Sequence, residues 1–295
     1  MPKETIKKIV TFIGKLLGIL GLLFIFYTLS KEYTWESFSD KFTSLLPLLP
    51  FLFIANILSI LLGIYAWHIM LQNYASKQFS VITSYYYFSK TEIAKYLPGN
   101  IFHFIGRQAL ASKVGISQIQ MGKISLLFSL LLLAATVLAS TLFSIFTQGI
   151  PSYIIWLMVL GSIITIIAIL LTYKSFPLST KLQMNLLLIL SVSLQGIMLA
   201  SILLYQQNLF EVGLFLQCTS IYIISWLIGF ITPGASGGLG VREGTFVVIV
   251  NFLHLPIASE MIIFSVLLVR LINILTDMLL YLSTFMLESR INTPL

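Results

Sequence analysis

The sequence has very little of two things that most soluble proteins depend on, charge and cysteine. Only 9% of its 295 residues are charged, whereas about a quarter are charged in a typical soluble domain, so the chain cannot cover a water-facing surface. Its single cysteine, Cys218, excludes a disulfide framework and a cysteine-based metal cluster. The histidines, His68, His103 and His254, lie far apart and show no metal-ligand spacing. We therefore predict no metal site and no cofactor.

What the sequence has instead is apolar residues. Hydrophobic residues make up 58% of the chain, and the mean hydropathy is +1.00, which excludes a disordered or fibrous protein. One bilayer crossing takes about 20 apolar residues, so the chain has room for about seven or eight transmembrane helices. We predict an all-α polytopic membrane protein in which residues 1–295 form one integral-membrane domain.

The net charge of +7 is best explained by membrane topology. Nucleic-acid binding would need a basic face on a soluble module, for which the sequence has no room, so we exclude nucleic acid as a partner. Lysine and arginine concentrate on the cytoplasmic side of membrane proteins. Lys3, Lys7 and Lys8 precede the first apolar run. Residues 77–123 hold six basic residues against one acid, Glu92. Both segments, including the N-terminus, are predicted to be cytoplasmic.

Hydropathy predicts seven long crossings. The first apolar run is too long for a signal peptide and lacks a small-residue cleavage site. The predicted crossings are Val10–Leu29, Leu45–Gln72, two helices within Ile124–Tyr173 that are split at Thr147–Ser152, Met184–Tyr205, Val212–Ile231 and Met261–Leu287. The cluster Tyr85–Tyr87 is typical of an aromatic belt at the membrane interface.

Two further apolar segments, Ile101–Ala111 and Thr245–Leu255, are too short to cross. A helix of about 11 residues reaches about 16 Å, roughly half of the hydrocarbon core, so each is predicted to be a re-entrant or broken half-helix. Each follows a Pro-Gly pair, and an arginine comes nine residues after the proline. This equal spacing predicts an internal repeat with halves of about 1–150 and 151–295. The loop and hinge residues of the two copies are Pro98, Gly99, Asn100 and Gly106, and Pro233, Gly234, Gly238 and Gly240.

The two motifs predict an anion site. Proline and glycine end one helix and turn the backbone. The next helix then begins inside the membrane region with unpaired N–H groups and a positive dipole end. His103 and Arg107 are spaced i, i+4 and share one helix face, and Arg242 holds the matching place in the second copy. Paired broken helices in two halves of a chain usually mark the binding site of a transporter.

The last predicted helix carries polar residues inside an apolar run. Arg270, Asn273 and Asp277 are spaced i, i+3 and i+7, which places them on one face. Intramembrane charges are costly and usually face a bundle interior or a cavity. The predicted substrate-binding residues are therefore His103, Arg107, Arg242, Glu243, Arg270 and Asp277.

Simpler interpretations of the same residues stay open. Residues 234–240 also fit a flexible hinge, and they match neither a Walker A loop nor a dinucleotide fingerprint. Arg107 also fits a topogenic charge at a cytoplasmic helix end. Arg242 lies next to Glu243, and the two charges could simply neutralise each other. The polar face around Arg270 also fits a structural contact between helices.

The two motifs resemble the signatures of a known family. The run from Lys95 to Gly99, followed by His103, Gly106 and Arg107, is similar to the first signature of the lysylphosphatidylglycerol synthase transmembrane-region family. Residues 232–244 resemble its second signature.

A polar last helix with an arginine, here Arg270, also fits the family, and the resemblance covers nearly the whole chain. The sequence departs from the commoner pattern at residues 235–237, which stand as an insertion before Gly238. The fine geometry of the second motif therefore differs from that pattern.

The resemblance implies a flippase-like domain of the bacterial inner membrane, like the membrane half of the bacterial multiple peptide resistance factor. In that family the domain is associated with moving lysyl-phosphatidylglycerol between leaflets. The synthase activity in the family name belongs to a separate soluble domain, for which this chain has no room. The resemblance therefore implies a protein that is not an enzyme.

These observations predict a membrane lipid translocator. Its substrate would be an anionic phospholipid or a polyprenyl-phosphate-linked lipid, whose phosphate contacts Arg107, Arg242 and the two half-helix N-termini. Glu243 and Asp277 are candidate partners for a cationic headgroup or for proton coupling. A homo-oligomer or a partner protein of envelope biosynthesis is also compatible with the sequence.

The alternative is an integral-membrane enzyme, or an accessory subunit, that acts on lipid-linked substrates in envelope or glycan assembly. A polar cavity lined by arginines would favour transport. Two acids within about 4–6 Å of each other at a cytoplasmic opening would favour an enzyme with a metal site.

Overall fold

The computed structural model describes residues 35–74, 78, 80–96, 102–110, 115–146, 150–172, 176–208, 211–232, 238 and 240–291. Within these ranges the chain is helical and contains no strand. The helices are α1 (Trp35–Ser44), α2 (Leu49–Tyr74), α3 (Val81–Glu92), α4 (Phe102–Leu110), α5 (Gln118–Ile145), α6 (Ser152–Thr172), α7 (Leu178–Gln207), α8 (Val212–Ile231), α9 (Val241–Phe252) and α10 (Ser259–Ile291). A 3₁₀ helix, Ile93–Tyr96, follows α3 directly.

Six of these helices, α2, α5, α6, α7, α8 and α10, are long and apolar enough to cross a bilayer. The protein is therefore an all-α polytopic membrane protein, and the predicted fold class is confirmed. The predicted crossing Val10–Leu29 lies outside the described residues. Helices α3, α4 and α9 have 12, 9 and 12 residues, too few to span the hydrocarbon core.

The N-terminal side of the bundle differs from the prediction in two places. The connection between the predicted crossings Val10–Leu29 and Leu45–Gln72 contains helix α1, which ends at Ser44. The crossing predicted to begin at Leu45 begins at Leu49, because Leu45–Leu48 form turns around Pro47.

The predicted crossing Met184–Tyr205 leaves Lys181 in the connection before it, whereas the structure places this lysine in a helix. It lies in the first turn of α7 and is buried, and its ammonium donates a hydrogen bond to the carbonyl of Leu170 on α6 (3.3 Å). A lysine can occupy such a site because its aliphatic stem packs against apolar neighbours while the charged end reaches a polar atom.

The predicted aromatic belt is also wrong for Tyr86 and Tyr87. Both side chains are buried, because α3 packs between α2 and α10. The Tyr86 hydroxyl donates to Glu288 Oε1 of α10 (3.1 Å). These tyrosines therefore pack inside the protein, where a hydrogen-bond partner offsets the burial of a phenol.

Polar side chains hold the central helices together. Ser59 of α2 and Ser191 of α7 each donate to the other's backbone carbonyl (2.8 Å in both directions), and Gln195 donates to Asn56 (2.7 Å). In lipid, such contacts and close packing replace the hydrophobic effect as the force between helices. Gly196 allows α7 and α8 to pack closely, because a Cβ at this position would lie only 2.8 Å from the Thr219 side chain.

The capping residues explain where two helices begin. Ser80 accepts a hydrogen bond from the Thr83 N–H at the start of α3. Ser117 and Gln120 form a reciprocal capping box at the start of α5. Each motif satisfies backbone N–H groups that the first turn of a helix leaves unpaired.

The described structure places four long helices, α5 to α8, between the two short helices α4 and α9. Four crossings between α4 and α9 would place these two short helices on the same side of the membrane, whereas an inverted repeat needs an odd number. The internal repeat with halves 1–150 and 151–295 stays a prediction.

Candidate functional site

A cavity of about 510 Å³ opens among helices of the bundle. Five of the six predicted substrate-binding residues line it: His103, Arg107, Arg242, Arg270 and Asp277. The sixth, Glu243, is not among the lining residues but forms an ion pair with Arg270, which is. The structure thus brings the two motifs and the polar face of the last helix to one place. Their role in binding a substrate stays a prediction.

One end of the cavity holds an ion-pair cluster of Glu92, Lys95, Tyr96, Arg107 and Asp277. The Lys95 ammonium lies 2.8 Å from Asp277 Oδ2 and 3.2 Å from Glu92 Oε1, so both acids share one cation. The Tyr96 hydroxyl also donates to Asp277 Oδ2 (2.6 Å). Arg107 donates to the second oxygen of Glu92 (2.6 Å). The positive charges of the two basic side chains and the negative charges of the two carboxylates therefore neutralise one another in this cluster.

Arg107 is fixed in the cluster by aromatic rings as well as by Glu92. Its guanidinium carbon lies 4.4 Å from the centre of the Phe88 ring and 5.5 Å from that of Trp67. Only 4% of the side chain is exposed. Cation–π contacts and a short ion pair suit a desolvated arginine, so the observed position of Arg107 differs from that of a topogenic charge in water.

A second cluster at the cavity, the double-arginine cluster, consists of Arg242, Glu243 and Arg270 and lies next to Tyr222 and Trp226 of α8. Glu243 is fully buried, and its Oε1 lies 2.8 Å from Arg270 Nε. The guanidinium of Arg242 lies 5.7 Å from the centre of the Trp226 ring. Arg242 also interacts electrostatically with Arg270 and with Tyr222. Glu243 and Arg270 form an ion pair, and the guanidinium of Arg242 lies beside them.

The double-arginine cluster also has unused hydrogen-bond donors. Arg270 Nε and Nη2 are buried and make no hydrogen bond in the described structure, although Nε lies close to Glu243. A buried guanidinium N–H without an acceptor is costly. A ligand rich in acceptor oxygens would offset that cost, which makes this part of the cavity suited to an anion.

The structure corrects the prediction for Glu243 and the helix that carries it. The sequence neighbours Arg242 and Glu243 were considered as a self-neutralising pair, but the carboxylate faces Arg270 instead. Its other oxygen accepts the N–H of Gly240 at the start of α9 (2.8 Å). Glu243 therefore already supplies the negative charge that favours this helix N-terminus, so that end is not free for a phosphate.

The predicted hinge residues fall into two groups. Pro98, Gly99, Asn100, Pro233 and Gly234 lie outside the described residues. The other three are glycines at close contacts or in unusual backbone conformations, as described next.

Gly106 lies inside α4, where a Cβ would come within 3.2 Å of Thr91 on α3, so it allows close packing of the two helices. Gly238 and Gly240 have φ angles of +71° and +77°, a region that favours glycine. A Cβ on Gly238 would lie 3.0 Å from the backbone of Gly229 on α8.

Sequence reasoning missed several residues of the site. Glu92 and Lys95 were interpreted only as part of a basic cytoplasmic stretch, although Lys95 also began the first family signature. Tyr96 and Tyr222 were not singled out at all. The available signal was the isolation of Glu92 as the one acid among six bases, which indicates a specific ion-pair partner.

Acid is expected to destabilise the fold through His103 and Glu92. Burial lowers the pKa of His103 to about 4. Burial raises the pKa of Glu92, but Lys95 and Arg107 outweigh it and hold the pKa at about 2. Both values lie below those of the unfolded chain, so the stability is present at neutral pH. The His103 part is lost as the pH falls from about 6.5 towards 4, and the Glu92 part from about 4.5 towards 2.

Of these two contributions, only that of His103 changes much between pH 7 and pH 5, by about 1–2 kcal/mol at 1.36 kcal/mol per pKa unit. The melting temperature of the detergent-solubilised protein should therefore fall over this interval, and His103→Gln should remove most of that fall. An equal fall in both proteins would show that His103 is not a neutral, buried side chain.

Comparison with known proteins adds no assignment. Neither the family models nor the curated proteins include a match to this sequence. What is established is an integral membrane protein with a charged cavity, and the family similarity stays a resemblance of motifs.

Proposed function

We propose that the protein is a lipid translocator, and that the anionic headgroup of its substrate binds in the cavity at the double-arginine cluster. The observation that carries this proposal is the buried Nη2 of Arg270, which makes no hydrogen bond in the described structure and lies in a cavity that Arg242 also lines, inside a membrane protein. A phosphate supplies both the negative charge and the acceptor oxygens that such a site needs.

The size of the cavity supports a headgroup rather than a whole lipid. Its volume of about 510 Å³ lies within the usual range of small-molecule sites, about 300–1,000 Å³. Apolar side chains such as Phe128, Leu132 and Ile274 make up much of the rest of the wall. A headgroup would occupy the polar interior while the acyl chains stay in the surrounding bilayer.

An enzyme acting on a lipid-linked substrate is less well supported. Glu92 and Asp277 do lie close together, but the Lys95 ammonium stands between their carboxylates. That cation takes the place a divalent metal ion would need. In the part of the chain that the structure describes, no group of three His, Cys, Asp or Glu side chains is arranged to hold a metal ion.

The proposed location is the bacterial inner membrane, with the N-terminus in the cytoplasm. The first residue of α5, Gln118, is exposed, and so is Tyr153 at the start of α6. One crossing, α5, separates them, so they test the orientation as a pair.

Each cysteine is introduced into a protein in which Cys218 is replaced by Ser. The cysteine of the Gln118→Cys variant should resist an impermeant thiol reagent added outside intact cells, whereas that of the Tyr153→Cys variant should react rapidly. This follows because basic residues concentrate before α5. The labelled fraction of each variant is measured in intact cells and after lysis. The reverse pattern, with Gln118→Cys labelled from outside, would overturn the proposed topology.

The translocation itself is tested in proteoliposomes. Fluorescent phosphatidylglycerol or phosphatidic acid is placed in both leaflets, and an external quencher reports how fast the inner-leaflet pool becomes accessible. The purified protein should accelerate exchange of these anionic lipids over protein-free vesicles. Phosphatidylcholine, whose headgroup carries a bulky cation, serves as the comparison lipid. Identical exchange with and without protein for every lipid would contradict the proposal.

A further inference from the structure

Helices α3 and α4 and the 3₁₀ helix between them are joined as one body, which we call the α3–α4 unit (Val81–Tyr96 and Phe102–Leu110). Gly106 brings α4 against Thr91 of α3. Arg107 of α4 is paired with Glu92 at the end of α3 (2.6 Å), and Lys95 of the 3₁₀ helix reaches the same acid. A close helix contact and a shared carboxylate bind the parts of the unit to one another.

The α3–α4 unit forms one wall of the cavity. Side chains from each of its parts line the space, including Phe88, Lys95 and His103. Helices α2, α5, α7, α8 and α10, and Arg242 of α9, supply the rest of the wall. Movement of the unit away from any of these helices would therefore open the cavity.

The unit meets its neighbours through two kinds of contact. Towards α10 the contacts are polar: the Tyr85 hydroxyl with that of Ser283 (2.5 Å), the Lys90 ammonium with Glu288 (2.8 Å), and Lys95 with Asp277 (2.8 Å). Tyr86 and Tyr96 add hydrogen bonds to the same two acids of α10.

Towards α2 and α5 the contacts are mainly aromatic. The Phe88 ring lies 5.6 Å from the Trp67 ring and 6.4 Å from the Phe128 ring, between centres. One hydrogen bond, His68 Nδ1 to Ser84 Oγ (2.8 Å), ties the beginning of α3 to α2. An anionic ligand can replace a carboxylate as the partner of an ammonium, whereas it offers nothing that replaces an aromatic contact, so the contacts towards α10 are the ones that a ligand can loosen.

We propose that the α3–α4 unit opens and closes the cavity by separating from α10, and that the ion pair of Lys95 with Asp277 controls this movement. Lys95 lines the cavity, so an anion inside it competes with Asp277 for the ammonium. Glu92 keeps Lys95 attached to the moving unit after Asp277 releases it. The headgroup would then itself loosen the contact that closes its site. The biological meaning of this movement rests on the proposed lipid function, but the movement can be measured without it.

The first measurement is the reactivity of a cysteine inside the cavity. Asn273 lines it and has no ion pair to lose, so Asn273→Cys in a Cys218→Ser protein reports access. The probe is methyl methanethiosulfonate, which is uncharged and therefore insensitive to the cavity's potential. Lys95→Gln or Asp277→Asn should each raise the rate at least about tenfold, the factor that 1.4 kcal/mol of lost closing energy produces.

Two further variants serve as controls. Lys123→Gln removes an exposed lysine of α5 and should leave the rate unchanged. Lys95→Arg keeps a cation between Glu92 and Asp277 and should retain slow labelling.

The second measurement leaves the ion pair intact, so that it decides the matter if the Lys95 variants fail to fold. Spin labels are attached at Ile82→Cys on α3 and Met286→Cys on α10, two exposed positions. Short-chain phosphatidylglycerol should shift part of the distance distribution to longer values. An unchanged distance together with equal labelling rates in all variants would overturn the proposal. Movement without any lipid exchange in proteoliposomes would support the opening of the cavity and contradict the lipid function.

Discussion

Removing the guanidinium of Arg270 is expected to weaken binding of an anionic headgroup by roughly 10- to 150-fold. This range converts about 1.5–3 kcal/mol for hydrogen bonds to a charged group at 1.4 kcal/mol per factor of ten. Arg270 is the appropriate residue because its Nε and Nη2 make no hydrogen bond in the described structure. The measurement is a titration of the detergent-solubilised protein with short-chain phosphatidylglycerol.

The design must allow for the carboxylate that Arg270 contacts. Glu243 is fully buried, so Arg270→Ala alone leaves an uncompensated charge and is strongly destabilising. The double variant Arg270→Ala with Glu243→Gln keeps the charge of the cluster and isolates the lost donors. Arg270→Lys should recover only part of the affinity, because an ammonium cannot form two parallel bonds to a phosphate.

Arg107 provides the comparison within the same cavity. Arg107 is already paired with Glu92 and packed on Phe88. We therefore expect Arg107→Ala to lower the melting temperature of the protein, and to weaken binding of short-chain phosphatidylglycerol less than the Arg270 double variant does. The sequence treated Arg107 and Arg242 as equivalent. Equal losses of affinity for Arg107→Ala and the Arg270 double variant, in equally stable proteins, would show that both clusters contribute equally to binding. That result would contradict the preference for the double-arginine cluster.

The second large effect is expected at Gly238. A side chain there would have to adopt a φ near +71° and would place its Cβ 3.0 Å from the Cα, C and O atoms of Gly229. The left-handed conformation alone costs about 1–2 kcal/mol, and backbone atoms cannot move aside as a flexible side chain could. We expect Gly238→Ala to lose about 2–4 kcal/mol of stability, on the scale of severe packing defects.

Gly244 is a matched control for this substitution. It lies in α9, six residues after Gly238, and a Cβ there would meet nothing within 4 Å. Gly244→Ala should therefore be neutral or stabilise the helix by up to about 1 kcal/mol. Melting temperatures of the two variants in the same detergent make the comparison. Similar values for both would show that residue 238 does not require glycine.

The consequence of Gly238→Ala should extend to binding. A Cβ on Gly229 would lie 3.4 Å from both Gly238 Cα and Arg242 Cβ, so the contact of these two glycines also sets the position of Arg242 in the first turn of α9. Moving Gly238 away from α8 would displace the arginine from the cavity. Gly244→Ala should retain wild-type affinity for short-chain phosphatidylglycerol.

The long crossings could be predicted from the sequence because hydropathy alone determines them. The run from Val212 to Ile231 was predicted with the bounds that α8 has. Prediction failed where a charged or aromatic residue is buried in protein instead of facing water or headgroups. Lys181 and Tyr86 are the examples, and the pattern of one sequence does not show which neighbouring helix covers such a residue.

The sequence indicated which residues line the cavity better than it indicated which of them form ion pairs with one another. The spacing of Arg270 and Asp277 on one helix face correctly indicated a common direction, and both line the cavity. Their partners, Glu243 and Lys95, lie 27 and 182 residues away along the chain. Such pairings depend on how α9, α10 and the α3–α4 unit pack, which local spacing does not encode.

The account is tested most directly by lipid exchange in proteoliposomes that contain either the wild-type protein or the double variant Arg270→Ala with Glu243→Gln, which leaves no buried carboxylate without its cation. Both samples are matched for the amount of folded protein by size-exclusion profile and melting temperature, and Lys123→Ala is the control for loss of an exposed positive charge. We predict that wild type and Lys123→Ala exchange labelled phosphatidylglycerol equally fast, and that the double variant falls to the rate of protein-free vesicles. Wild-type exchange by a correctly folded double variant would contradict the assignment of the headgroup to the double-arginine cluster.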